Sequence, residues 1–415
     1  MREAIRRVFG AELDAAGVVQ RVLRDVREEG DTALRRYNEA LDGVPSSVPL
    51  QVSKDEIQRA YSRVHKDVVS ALQRAAERIT AYHKVQLEYS LRSFDCEGIG
   101  QVVRPIERVG IYVPGTSVVY PSTVLMTAIP ARVAGVGELI MTTPAAEDGR
   151  VSPLKLVAAD IANVTAVYRG GGAQAIAAMA YGTETVPRVH KICGPGGIFP
   201  TLAKKSVYGE VGIDGVFGPS ETVVIADEQA RPELVAADLI AGAEHDQLAT
   251  ALLLTPSEDL AKAVDREVAG RLASLERRDV TAASLEARGG IALVESVEEA
   301  FALANEFAPE HLCLHLRDAE SHLSSVRNAG CVFVGETAVE SIGDYTAGPS
   351  HVMPTAGSAV FASPLGVHDF LKVTSVVRLR QEDMDEVAPP AAAIARAEGL
   401  AGHAQAIDAR MKTGR

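Results

Sequence analysis

The segment Glu306-Phe307-Ala308-Pro309-Glu310-His311-Leu312 sets a carboxylate beside an imidazole just after a proline. Such a pair can serve as two acid–base groups, once their surroundings separate their proton affinities. Pro309 disfavours helix at Ala308 and stiffens the approach; a plain surface turn is the alternative reading. Ala243-Glu244-His245-Asp246 ends an expected helix. His245 there is a metal ligand or base, or simply a cation that suits a helix C-terminus. Residues 340–351 read ESIGDYTAGPSH and offer Asp344 and His351 on a polar, glycine-spaced loop. Loops of this kind often line sites, although spacing alone fixes no geometry. Glu398 and His403 lie five apart on an expected tail helix, displaced by about 140°, so they share no narrow face.

Glycines offer a second kind of chemistry. In VTAVYRGGGAQAIAAMAYGT (164–183) an expected strand runs through Gly170-Gly171-Gly172 into an expected helix. Glycine at that junction lets backbone approach a phosphate, and a helix N-terminus favours anions. The spacing fits G-x-G-x-x-A, but the acidic residue expected about 20 positions on is missing. A tight packing turn explains the glycines equally well. Cys193-Gly194-Pro195-Gly196-Gly197 follows another expected strand as a phosphate loop or a turn.

These residues need a frame. The 415 residues suggest two or three domains. A hydrophobic fraction of 47% and a charged fraction of 23% describe a globular chain. The net charge of −13 argues against nucleic acid or an anionic membrane as partner, since both require a basic face. With no Trp and few aromatics, the core must be built from Ala, Val, Leu and Ile. Cys96, Cys193, Cys313 and Cys331 form no C-x-x-C pair, which argues against a zinc-finger framework and a disulfide scaffold. A reducing, cytoplasmic setting is expected. No signal-peptide core opens the chain, and 122–141 carries Pro130, Arg132 and Glu138, a poor membrane span.

Periodicity predicts helices over 11–42, broken near Gly30-Asp31-Thr32 with Asp31 or Thr32 as cap, and over 54–90. From about 107, strands at 109–113, 138–142, 164–169 and 189–193 alternate with helices at 124–134, 153–163 and 173–181. A second series has strands at 222–226, 250–254, 291–294 and 331–334, with helices at 233–245 and 256–271. Alternation of this kind predicts parallel α/β sheets. Beyond about 379 an Ala-rich helical tail is expected, set off by Pro389-Pro390.

Taken in order, the motifs resemble the histidinol dehydrogenase family. The matching segments are RVGIYVPGTSVVYPSTVLMTAIPARVAG (108–135), GGAQAIAAMAYGTETVPRVHKICGPG (171–196), GPSETVVIAD (218–227), AEHD (243–246), APEHL (308–312), ESIGDYTAGPSHVMPT (340–355) and EGLAGHA (398–404). The resemblance implies an NAD-dependent, zinc-requiring enzyme that oxidises L-histidinol to L-histidine through histidinaldehyde, the last step of histidine biosynthesis. The implied α/β fold has two incomplete Rossmann-like domains, one inserted in the other, with helices at the N-terminus. The first would comprise 1–107 and 222–365. The second, NAD-binding, would span 108–221. A helical tail at 366–415 would cross to the partner of a homodimer.

By the same resemblance, Tyr112, Gln174 and the position of Gly197 contact NAD. Glu310 and His311 are the catalytic pair. His245, Asp344 and His403 bind zinc, and Ser220, His245, His311, Asp344, His351, Glu398 and His403 surround the substrate. Two positions depart from the pattern. Gly242 stands where the family has a glutamine zinc ligand, three residues before His245, and Gly197 stands where it has an asparagine. Returning glutamine to 242 is therefore expected to tighten zinc binding. The departures leave two other readings open: a related zinc and NAD alcohol dehydrogenase acting on another polar alcohol, and a catalytically impaired paralogue.

Overall fold

A computed structural model describes residues 5, 8–115 and 118–412; Thr116 and Ser117 of the 108–135 motif lie outside them. The chain forms two compact units, one of residues 1–89 with 106–370 and one of 90–105 with 371–415.

The larger unit opens with helices α1 (Ala15–Glu29), α2 (Asp31–Asp42), α3 (Lys54–Tyr61) and α4 (Lys66–Glu88). The break between α1 and α2 falls on Gly30, whose φ of 56° suits a residue without Cβ. Gly30 itself occupies the N-cap position. Asp31, expected as a cap, instead accepts hydrogen bonds from the backbone N–H and hydroxyl of Thr185. The helix expected over 54–90 is two helices, the second capped by His65.

Strands β1 (Phe94–Cys96) and β2 (Ile99–Pro105) belong to the smaller unit. The chain then builds a first sheet from β3 (Arg108–Tyr112), β4 (Glu138–Thr143), β5 (Ala166–Arg169), β6 (Lys191–Cys193) and β7 (Gly212–Ile213). Between these strands run α5 (Pro121–Val133), α6 (Pro153–Ile161), α7 (Gly172–Tyr181) and α8 (Ile198–Val207). A second sheet follows from β8 (Glu221–Ala226), β9 (Thr250–Thr255), β10 (Gly289–Leu293), β11 (His311–His315) and β12 (Cys331–Val334). Its helices are α9 (Pro232–Glu244), α10 (Glu258–Leu272), α11 (Arg278–Arg288) and α12 (Val297–Phe307).

Both sheets are wholly parallel, and both have the same order: third, second, first, fourth and fifth strand in chain sequence. This is the Rossmann strand order 3-2-1-4-5-6 without its sixth strand. Each sheet is covered on two faces. In β8, Val224 and Ala226 pack with Val235 and Leu239 of α9, while Val223 and Ile225 pack with Phe301 of α12. Period-two alternation with both sides apolar is what a buried parallel strand requires.

In the N-terminal helices, Val18, Val19, Val22, Leu23 and Val26 of α1 and Leu34 of α2 pack against Ala173, Ile176 and Ala180 of α7 and Ala203 of α8. The small residues of α7 and α8 let this apolar stripe come close.

In the smaller unit, β13 (Leu371–Val377) pairs antiparallel with β2, which in turn pairs with β1. The region expected as a helical tail at 366–415 therefore contains a strand, after a 3-10 turn at Val367–Phe370. Helices α13 (Met384–Ala397) and α14 (Ala401–Lys412) follow. Pro389 and Pro390 lie inside α13 instead of preceding it. Ala388, Ala392 and Ala395 form its buried stripe, so packing overrides the roughly 3 kcal/mol propensity cost of an interior proline. Among the described residues, no helix is long and apolar enough to cross a membrane.

Candidate active site

The carboxyl edge of the first sheet gathers the glycine turns. Tyr112 ends β3, and its hydroxyl accepts the N–H of Gly172 at 3.1 Å, at the start of α7. Burial pushes the Tyr112 phenol up to about 12, so it stays protonated. Gly172 has a φ of 53°. Gln174 is buried beside this turn; its amide nitrogen lies 3.4 Å from Asp42 Oδ2, and its Oε1 has no partner among the described residues. Gly194 follows β6 with a φ of 115°, where a Cβ would run into the Tyr112 carbonyl. Gly197 is the N-cap of α8, exposed and bordered by open space. Two helix N-termini and an amide oxygen without a partner among the described residues fit a dinucleotide's phosphates and polar groups.

Two further side chains at this edge carry no motif in the sequence. Asp42, at the end of α2, is raised to about 6 by burial, partly offset by a hydrogen bond from the Gly171 N–H. Lys155 of α6 is fully buried, donates to Gly115 O and Thr143 Oγ1 at 2.9 Å each, and is lowered to about 8 by burial. Inside the apolar run LKLVAAD it reads as an ordinary helix residue, and nothing local marks it.

The second sheet presents its chemistry at the opposite, amino edge. Ser220 leads into β8. Ala308, with a φ of 53°, closes α12 in the left-handed region, and Pro309 and Glu310 then lead into β11, which begins at His311. The pair thus sits at a buried strand entry and not on a surface turn. Glu310 accepts the Glu221 N–H at 3.1 Å. Burial raises its carboxyl well above the usual range, and the neighbouring Glu340 and Asp344 add to the shift. His311 is 2% exposed, neither ring nitrogen has a hydrogen-bond partner among the described residues, and burial lowers its affinity for a proton to about 4.

His245 is the C-cap of α9 at the same edge. The supposed loop at 340–351 is mostly helical: residues 340–342 form an α-turn and 343–347 a π-turn. It brings Asp344 Oδ2 to 3.7 Å from His245 Nε2, and Asp344 Oδ1 to 3.9 Å from His311 Nε2. His351 is held by the Asp344 carbonyl at 3.0 Å and by Thr123 Oγ1 at 3.1 Å; burial lowers its proton affinity. Glu340 was passed over in favour of Asp344 and His351. The usable signal was its spacing, since residues four apart share a helix face. His245, Glu340 and Asp344 offer ligand atoms all within 4.8 Å of one another.

This N/O donor set suits zinc, and Glu340 Oε1, buried without a hydrogen-bond partner, is the kind of oxygen that a cation satisfies. The C-terminal end of α9 carries partial negative charge that also favours a cation. In the smaller unit, Glu398 is the C-cap of α13 and His403 lies on the first turn of α14, both exposed.

Two Rossmann-ordered sheets, one glycine-lined and one bearing an acid–base pair beside a metal-type cluster, point to an oxidoreductase class. The histidinol dehydrogenase family model matches residues 7–411. A histidinol dehydrogenase of Moorella thermoacetica is 49% identical over 415 residues, covering 99% of this chain and 98% of that protein. One of Dehalococcoides mccartyi (strain CBDB1) is 46% identical over 411 residues, covering 99% and 94%. The crystal structure of histidinol dehydrogenase from Elizabethkingia anophelis superposes with a TM-score of 0.91 at 35% identity, covering 97% of this chain and 93% of that one. The chain belongs to the histidinol dehydrogenase family.

Proposed function

We propose that the chain oxidises L-histidinol to L-histidine through L-histidinaldehyde, with two NAD reduced per substrate. Family membership supports the reaction class. The observation that carries the reading to residues is the unpartnered, buried His311 beside Glu310 and the His245/Asp344 cluster. Zinc, when bound, supplies a Lewis-acidic point that holds the substrate's nitrogens, and NAD accepts the hydride. His245 and Asp344 would hold the metal, while Tyr112, Gln174 and the turns at Gly172 and Gly197 would hold NAD.

His311, neutral at pH 7, takes the hydroxyl proton as the carbinol C–H leaves with its electron pair. The product is the aldehyde. Glu310, whose raised proton affinity makes it a stronger base than an ordinary carboxylate, takes a proton from water as the oxygen adds to the aldehyde carbon. The resulting diol loses a second hydride and becomes the carboxylate. In all, one alcohol, one water and two NAD give one carboxylate, two NADH and three protons. Ser220 and His351 line the substrate.

We also take 108–221 as the NAD-binding domain, and a homodimer in which Glu398 and His403 of each tail complete the other subunit's site. The test is NADH formation from limiting L-histidinol with zinc present. Two NADH per histidinol are expected. One NADH, or preference for an alcohol lacking the imidazole, overturns the reading.

A further inference from the structure

The departure at Gly242 has a structural counterpart. A Cβ at 242 would stand 2.8 Å from Thr222 Cβ and closer still to its hydroxyl oxygen. Thr222 and Gly242 are both buried, so neither can yield into solvent. The Thr222 hydroxyl fills the volume that a side chain at 242 would need, and donates to Glu340 Oε2 at 2.8 Å. Glu340 is 1% exposed, and its other oxygen has no hydrogen-bond partner among the described residues. That free oxygen lies 3.9 Å from His245 Nε2 and 3.4 Å from His311 Nδ1.

We propose that Glu340 is a ligand of the divalent cation held by His245 and Asp344, and that Thr222 and Gly242 act as a matched pair that aims it. The proposal rests on the zinc reading above and deepens it. Ligands bonded at about 2.1 Å to one tetrahedral ion stand about 3.4 Å apart. The 3.7 and 3.9 Å separations from His245 need to close by only a few tenths of an ångström, and all three ligand atoms lie within 4.8 Å of one another. A buried carboxylate with one empty lone-pair site is costly to keep without a positive partner. Sharing the oxygen with a cation removes that cost. The resulting site has two carboxylates to balance a dication. Thr222 is a positioning residue: it holds Oε2 and leaves Oε1 for the metal.

The experiment is zinc titration of the stripped full-length protein against a chromophoric chelator, with absorption spectra of the Co2+ form as a second readout. Wild type should bind one zinc per subunit. Glu340→Gln should weaken zinc on the order of 100-fold and alter the Co2+ spectrum. Thr222→Val, which keeps shape and loses only the hydroxyl, should weaken it about tenfold, the range of an outer-shell loss. Gly242→Gln alone should not tighten binding, because Thr222 occupies the space. If Glu340→Gln loses folding, the Thr222→Val result decides. Wild-type zinc affinity and Co2+ spectrum in Glu340→Gln, alongside zinc loss in His245→Ala, overturn this proposal and leave the zinc reading standing. In that event Glu340 serves only to orient His311. Absence of zinc uptake by wild type overturns both.

Discussion

The two sheets share one strand order yet work at opposite edges. The first gathers Tyr112, Gly170–Gly172 and Gly194–Gly197 at its carboxyl edge. The second gathers Ser220, Thr222, Glu310, His311 and His245 at its amino edge. The difference is electrostatic. At a carboxyl edge the following helices begin, and their N-termini carry partial positive charge that suits phosphate. At an amino edge the preceding helices end, and the C-terminus of α9 suits a cation. Strand order therefore does not assign the chemistry; the polarity of the helix ends at each edge does.

The division of labour can be tested by separating the edges. The largest effect is expected at the amino edge of the second sheet. His311→Ala and Glu310→Ala should each lower histidinol oxidation by about two or more orders of magnitude, with NAD binding by fluorescence titration unchanged. Wild-type turnover in both variants would break the assignment. Next, Gly172→Ala at the carboxyl edge of the first sheet puts a methyl at a φ of 53°, 2.9 Å from Gln174 Oε1. Strain of about 1–3 kcal/mol should raise the KM for NAD about tenfold while zinc affinity stays constant. A shift in zinc affinity instead would show that the edges are not independent. The smallest effect is expected from Gly197→Asn, whose side chain enters open space at the N-terminus of α8. An added amide hydrogen bond of about 1 kcal/mol should lower the KM for NAD a few-fold. No change would mean that the backbone alone meets the cofactor there.

Much of the frame was legible beforehand. The strand at 331–334 has the expected bounds, and most other strands and helices fall within two residues of theirs. Their signals are local: β-branched runs, Ala-rich helices and glycine junctions. What was illegible depended on partners far along the chain. β13 is hard to see in the tail because its partner is β2, some 270 residues earlier. The packing partners of α1 and α2 are small residues of α7 and α8, which no feature of 15–42 reveals. The crowding that a side chain at 242 would meet comes from Thr222, twenty residues upstream on a different element.

By itself, then, the sequence determined which segments become strands and helices, where glycine permits close approach, and which motifs align with the family. These follow from side-chain period, backbone freedom and residue identity. Only the tertiary structure decided that Glu310 and His311 are buried at a strand entry and that Glu340 joins His245 and Asp344. It also decided that Gly242 answers to Thr222. The physical reason is that burial, lone-pair satisfaction and steric exclusion belong to pairs of residues that packing brings together, and no single stretch of chain contains both members.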